Sequence, residues 1–394
     1  MRLEKDWGRL GLKYKEVNLG ELVSFVSKGI PPKYIETKSD NTIVVLNQRT
    51  NRNFQIDYSL SRLNDLLKKK VPTNKILIDY DILINSTGVG TAGRVAQLVK
   101  VPELTTVDGH MIIVRPDEEK IDPLYLGYAL KAQQVKIEGL QEGSTGQTEL
   151  NRQRLLNDII IKFPESRKLQ QDISRLFFSL DEKIENNKKI NHHLEQMAQA
   201  IFKSWFVDFE PFGGILPTTW REITFLDVAK LNYGKNLPTK NLLSKGYRVF
   251  GGNGPIGYFT EFLYQKERIL ISCRGAASGT VRLSRPFSFI TNNSLIVNEK
   301  KDVYFAYLKQ WCLNRQFFDV VTGSAQPQVT IDSFKNLPII LPDTNVLEDF
   351  SKIMFPIYSQ IEINMEKNEK LINFRDTLLP KLLSGEISVN QASK

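Results

Sequence analysis

Three short stretches carry residue types that could do chemistry. Phe250-Gly251-Gly252-Asn253-Gly254 matches F-x-G-x-G, the cofactor loop of adenine methyltransferases. Such a loop must follow a strand and open a helix, and it works with an Asp/Asn/Ser-Pro-Pro-aromatic tetrapeptide that stacks a flipped adenine. Here the glycines lead into Pro255-Ile256-Gly257-Tyr258-Phe259, which reads as turn and strand, and Asp122-Pro123-Leu124-Tyr125 lacks the second proline. Pro116-Asp117-Glu118-Glu119-Lys120 holds the letters of a nuclease, but contiguous carboxylates cannot supply a metal with ligands from separated strands. His192 and His193 point to different faces of a helix, His110 is a lone strand residue, and Cys273 and Cys312 match no metal-ligand spacing. The expectation is a chain with no catalytic residue and no metal.

A second set of residues suits recognition. DNA sequence is read by side chains with paired donors and acceptors, Arg to guanine and Asn or Gln to adenine, while Lys, Ser, Thr and backbone amides hold phosphates. Glycine-bearing polar loops of the first half offer Lys33, Gln48, Arg49, Asn51, Arg52, Arg94, Ser144, Thr145 and Gln147, with LNQRTNRNF the densest polar run. Those of the second half offer Lys235, Asn236, Lys240, Asn253, Tyr258, Arg274, Ser278, Ser324, Gln326 and Gln328. The bland reading of each is a solvated loop residue or a turn former. Phe202, Trp205, Phe206 and Phe209 form an apolar cluster at helical spacing, suited to anchoring a partner or to packing inside the chain.

The elements that must position these residues are written twice. GSTGQTE leading to IIIKFP in the first half answers GSAQPQ leading to LPIILP in the second. Tyr14-Lys15-Glu16-Val17 with the turn Lys28-Gly29 answers Trp220-Arg221-Glu222-Ile223 with Gly234-Lys235. ILINSTGVGTAGRV from Ile82 answers ILISCRGAASGTV from Ile269, and GHMIIV ending at Val114 answers NSLIV ending at Val297. The offset falls from 206 between Tyr14 and Trp220 to 177 between Ile184 and Ile361, and most of the loss lies between the first turn and the glycine loop. Matching frames around a divergent stretch suggest one scaffold with two recognition surfaces.

Each half then enters a long helical pattern. From Arg167 apolar residues recur at spacings of three and four through Leu169, Ile173, Leu176, Leu180, Ile184 and on to Trp205. Val346, Phe350, Ile353, Ile357 and Ile361 begin a second such seam, with Pro356 a possible kink and Gly385 the stop. Asn187 and Asn364 fall at equivalent seam positions, which predicts matched polar layers.

Composition is compatible with this design. At 394 residues, 41% hydrophobic and 25% charged, the chain has material for two or more folded domains. Its 53 Lys and Arg against 44 Asp and Glu give a net charge of +9, which suits nucleic-acid binding through one surface. No apolar run approaches the roughly 18 residues of a membrane span and the start lacks a signal-peptide core, so a cytoplasmic location is expected.

These ordered features, with KINHHLEQMAQAIFKSWFVDFEP in the middle and LINFRDTLLPKLLSGEI near the end, resemble the specificity subunit of type I restriction-modification systems over essentially the whole chain. The resemblance implies an α+β fold of two β-rich target recognition domains in a pseudo-two-fold arrangement, joined and separated by two long antiparallel coiled-coil helices. On this chain they would be residues 1–165 (first recognition domain), 166–213 (central helix), 214–342 (second recognition domain) and 343–394 (distal helix). It further implies that each domain reads one half of a bipartite duplex DNA target. Two modification subunits would methylate adenine at N6 with S-adenosylmethionine, and endonuclease subunits would use ATP and Mg. The chain itself would hold no cofactor. Competing readings are a stand-alone adenine methyltransferase and a coiled-coil protein whose β-domains bind proteins or sugars.

Overall fold

Alternating apolar strands bounded by glycine turns become two β-sandwich-like layers in each half of the molecule. The structure, a computed structural model, describes residues 13–142, 149–323 and 325–392. The chain divides into two units, one running up to Glu185 and resuming at Lys367, the other spanning Asn186–Glu366. No helix among the described residues is long and apolar enough to cross a membrane.

In the first unit an antiparallel sheet has the order Val23–Lys28, Met111–Pro116, Ile82–Asn85, Val95–Gln97. Side chains alternate across a strand, so each strand feeds two cores. Ile82, Ile84, Ile112 and Val114 pack with Tyr125, Leu126, Ile173 and Phe177 of the helical side. Leu83, Met111 and Ile113 pack against Val44, Leu46 and Val107 of a second sheet, ordered Thr105–Val107, Thr42–Leu46, Arg62–Asp65, Tyr34–Ile35. Burial on both faces explains why these strands read as near-continuous apolar runs, each fully buried aliphatic side chain contributing about 1.5–3 kcal/mol.

The second unit repeats the plan. Its sheet has the order Ala229–Tyr233, Ser294–Glu299, Ile269–Ser272, Val281–Leu283. Ile269, Ile271, Leu295 and Val297 face one core, while Leu270 and Ile296 face another with Phe250 and Ile290. The two turns matched by sequence occupy the same place. Gly29 lies so close to the Val107 and Asp108 carbonyls that a Cβ would sit 2.0 and 2.3 Å from their oxygens, and a Cβ at Gly234 would sit 2.3 and 2.4 Å from those of Thr291 and Ile290. The apolar tails also match: Ile160–Pro164 pairs antiparallel with Tyr14–Asn18, and Pro338–Leu341 with Arg221–Thr224.

Both expected long helices are present, Arg167–Phe206 and Thr344–Ser384. The second continues through Pro356 without a break, its flanks held by buried Phe350 and Met354. It ends where expected, Gly385 adopting φ +76° while the Glu386 amide returns to the Lys381 carbonyl at 3.0 Å. Within each unit the helical segments run antiparallel. Asn368 Nδ2 donates to Ile184 O at 3.2 Å in the first unit, and Asn191 Nδ2 to Ile361 O at 3.2 Å in the second. The duplicated polar layer is therefore Asn191 and Asn368, one turn beyond the predicted Asn187. Asn364 is buried as expected, but its Nδ2 donates to Asn191 Oδ1 at 2.8 Å.

Candidate nucleic-acid interface

The three stretches that suggested catalysis have structural employment. Phe250–Gly254 is the tip of a hairpin, Tyr247–Gly251 turning directly into Gly254–Phe259, so no helix follows the glycines. Asp122 caps the helix Pro123–Ala132, its Oδ1 accepting from the Tyr125 amide at 2.9 Å and from Ser174 Oγ at 3.0 Å. Asp117 and Lys120 pair across a turn. Among the described residues no three His, Cys, Asp or Glu side chains gather as a metal cluster.

In the first unit the polar run after Leu46 folds onto the glycine loop. Asn47 builds the turn, its Oδ1 accepting from the Arg49 amide at 2.9 Å. Asn51 then stitches turn to loop, with Nδ2 within 3.3 Å of Leu83 O, 3.1 Å of Asn85 Oδ1 and 2.9 Å of Arg94 O. Asn51 is fully buried, which corrects its expected role: its Nδ2 is spent on the frame and the side chain cannot reach a base edge. Asn85 Nδ2 adds a bond to Gln48 O at 3.1 Å. Arg49 and Arg52 stand exposed on this fixed turn, and Gln48 is half-buried beside Thr87. Arg94 spans its own loop, Nη2 donating to Gly90 O at 2.9 Å. Lys33 is exposed elsewhere, its amide bound to Asn64 Oδ1 at 2.8 Å at the edge of the second sheet. Ser144, Thr145 and Gln147 lie outside the described residues.

The second unit joins two loops in the equivalent place. Arg274 faces Gln328 across an antiparallel bridge, and the Gly275 amide donates to Pro327 O at 3.0 Å. Ser278 is buried and its Oγ donates to Pro327 O at 2.9 Å, so it ties the loops together and is corrected from DNA contact to support. Arg274, Gln326 and Gln328 are exposed on this joint, while Ser324 lies outside the described residues. Asn253 is exposed at the hairpin tip, where its Oδ1 accepts from Arg282 Nη2 at 3.3 Å. Lys235 and Asn236 are exposed beside the Ile290–Asn292 backbone, to which Lys235 bonds at 3.0 and 3.1 Å. Lys240 is exposed on the turn Thr239–Asn241, and Tyr258 is half-buried, its backbone paired with Leu243.

The frames agree bond for bond. The Ser86 amide donates to His110 O at 2.8 Å and the Leu150 amide to Ser86 O at 2.7 Å. The Cys273 amide donates to Asn293 O at 3.0 Å and the Val329 amide to Cys273 O at 3.1 Å. Thr87 bridges to Glu149 as Arg274 bridges to Gln328.

The aromatic cluster expected to meet a partner lies largely inside the second unit. Phe202 is only 4% exposed. Phe206 packs edge-on against Tyr307 and Phe350 at 4.9 and 4.8 Å, Trp205 lies 5.8 Å from Phe350, and Phe209 lies 5.8 Å from Trp220. Phe202 is thereby corrected from partner anchor to core. Sequence reasoning also missed a basic group in the first unit. Burial, then the charge of Arg152, lowers the Lys28 ammonium, and Lys75 is lowered by burial, Arg152 and Lys69. Lys28 pairs with Glu149 and Lys75 Nζ donates to Gly29 O at 2.9 Å. Lys28 stands beside the turn glycine as Lys235 does in the second copy, a signal that was available.

A protein-family model described as the type I restriction modification DNA specificity domain matches residues 12–196 and 217–373, most of the chain. The chain belongs to this type I restriction-modification specificity family. A relative from Methanocaldococcus jannaschii, the type I restriction enzyme MjaIX specificity subunit, is 26% identical over 99% of this chain and 95% of its own length. The HindI specificity subunit of Haemophilus influenzae is 22% identical over 95% of this chain and 99% of its own. A solved type I restriction-modification S subunit from M. genitalium matches in fold, with a TM-score of 0.60 and 18% identity over 96% of this chain and 99% of that one. The role of a specificity-family member is DNA sequence specificity.

Proposed function

We propose that the chain reads a bipartite duplex target, each unit reading one half, and that it directs adenine-N6 methylation or restriction by partner subunits without catalysing either. The observation that carries this reading is the duplicated loop frame, which presents different exposed polar side chains from the same backbone scaffold in both units. A split target needs two modules of one design, and a duplicated sequence lets a single chain supply them.

In this proposal residues 1–165 and 214–342 recognise DNA and 166–213 and 343–394 set the spacing. Arg49, Arg52, Arg274, Gln326, Gln328 and Asn253 face base edges, while Lys33, Lys235, Asn236, Lys240 and the Lys28, Lys75 and Arg152 group hold phosphates. Cations that repel one another are relieved by a phosphate, and the contact releases counterions from DNA. A helix of 40 residues at about 1.5 Å each is about 60 Å long, enough to span more than one turn of duplex. S-adenosylmethionine, ATP and Mg belong to the modification and endonuclease subunits, acting with the chain in the cytoplasm.

Sequencing of modified bases in the host tests this directly. The expected result is a split N6-methyladenine motif that disappears when the gene for this chain is deleted, with salt-sensitive retention of the purified chain on duplex DNA. A deletion that leaves every motif in place, with no salt-dependent retention, contradicts the proposal.

A further inference from the structure

Three positions in each unit sit on backbone that the duplicated frame holds alike. In the first unit they are half-buried Thr87 with exposed His110 and Glu149; in the second, Arg274, Asn293 and Gln328. Thr87 and Arg274 each follow the residue whose amide donates to the carbonyl of the second position, His110 or Asn293. Glu149 and Gln328 each lie across the antiparallel bridge, one residue before the buried Leu150 or Val329 that locks the third loop in place. The backbone is common and only the side chains differ. In the first unit two of them touch, Thr87 Oγ1 lying 2.7 Å from His110 Nδ1, while Glu149 pairs with Lys28.

We infer that these are three corresponding specificity slots, whose side chains add to the base readers named above and set the preference at the base pairs they reach in each half-site. The inference rests on the DNA-reading proposal above. Its chemistry is directional. Arg274 supplies the paired donors that fit guanine O6 and N7, and Asn293 and Gln328 the donor and acceptor that fit adenine N6 and N7. In the first unit the Glu149 carboxylate accepts from cytosine N4, and the Thr87 and His110 pair offers single donors or acceptors. The two halves of the target therefore differ, with a guanine contact from slot one in the second half and a cytosine contact from slot three in the first.

The test selects bound duplexes from a random-sequence library with the full chain, comparing wild type, the T87R/H110N/E149Q triple variant and the reciprocal R274T/N293H/Q328E variant. Melting curves establish that each variant folds, and the reciprocal variant keeps the test alive if the first does not. The expected result is that each swap changes the enriched bases of one half-site, by tenfold or more in preference, and leaves the other half-site as in wild type. Unchanged bases in both halves, or equal loss of enrichment in both halves of a folded variant, overturns the slot assignment while leaving the DNA-reading proposal standing. A wild-type chain that enriches no sequence removes that proposal and this inference with it.

Discussion

The two units meet their helices with different chemistries at one matched position. In the first, Asp181 is half-buried among cations and a phenol: Tyr128 OH donates to it at 2.8 Å, Lys131 Nζ lies 3.4 Å away, and Arg375 also pairs with it. In the second, the same alignment puts Tyr358 opposite Gln310, whose Nε2 donates to the tyrosine oxygen at 3.0 Å. Ala198 stands where the first unit has Arg375, and Lys309 lies 3.6 Å over the Tyr358 ring. A cleft of about 640 Å³ lined by Ala198, Leu313, Gln310 and Tyr358 occupies the second site. Farther along, Phe202, Trp205 and Phe206 fill positions that Leu379, Leu382 and Leu383 fill in the first unit. By contrast, the turn glycines, the sheet order and the loop frame are common to both. Backbone geometry is what the duplication preserves, and the chemistry that buries it is free to change.

Breaking the ionic junction gives the largest expected effect. Asp181→Ala takes the partly buried counter-charge from Lys131 and leaves Arg375 only Asp376, at a cost of at most about 3–5 kcal/mol. Tyr358→Phe at the matching position removes one hydrogen bond and costs about 1 kcal/mol. Hydrogen exchange of the Pro123–Ala132 and Phe305–Arg315 helices reports the two losses separately, and equal losses would abolish the contrast.

A pH titration sharpens it. Burial pushes the Lys131 ammonium from its ordinary value near 10.5 down to about 8, Asp181 opposing the shift only in part. The folded state thus releases this proton before the unfolded state does, so stability rises with pH between about 8 and 10.5, and the contribution is lost as pH falls through 8. The rise is at most about 3 kcal/mol at 1.36 kcal/mol per pH unit. Denaturant melts of wild type and Lys131→Met across that range should differ by this slope, and parallel curves would refute it.

The glycine turns should behave alike. Gly29→Ala and Gly234→Ala each drive a methyl into two carbonyl oxygens, costing about 1–3 kcal/mol or more. Loss in only one variant, measured by thermal melting, would show that the frame is not common. At the interface, Arg274→Ala is expected to weaken one half-site by about 1–3 kcal/mol if it pairs with guanine. Equal weakening on all sequences, with a shallower salt slope, would reassign it to phosphate.

Much of this architecture was legible in the sequence because duplication, period-2 strands and seam spacing are patterns of residue type. Gly29 and Gly234 were matched by position alone, and the structure supplies the reason in the carbonyls behind them. What stayed hidden depends on where a polar group spends its hydrogen bonds. Asn51 and Ser278 have the composition of base readers, yet both are consumed in joining loops. Asn191 was passed over for Asn187 because a 3.6-residue helix drifts from a strict heptad, moving the buried polar position by a turn. The matching turn marks Lys28 in the sequence, but the nearness of Arg152 to both Lys28 and Lys75 exists only after folding.

In the proposed function, paired helices set the gap between the two half-sites. Matched four-residue insertions, one between Glu185 and Asn186 and one between Glu366 and Lys367, add about one helical turn of roughly 5.4 Å. At about 3.4 Å per base pair, selection from random duplexes should return the same two half-sites with the gap longer by one or two base pairs. A folded, DNA-binding variant that keeps the original gap would contradict it.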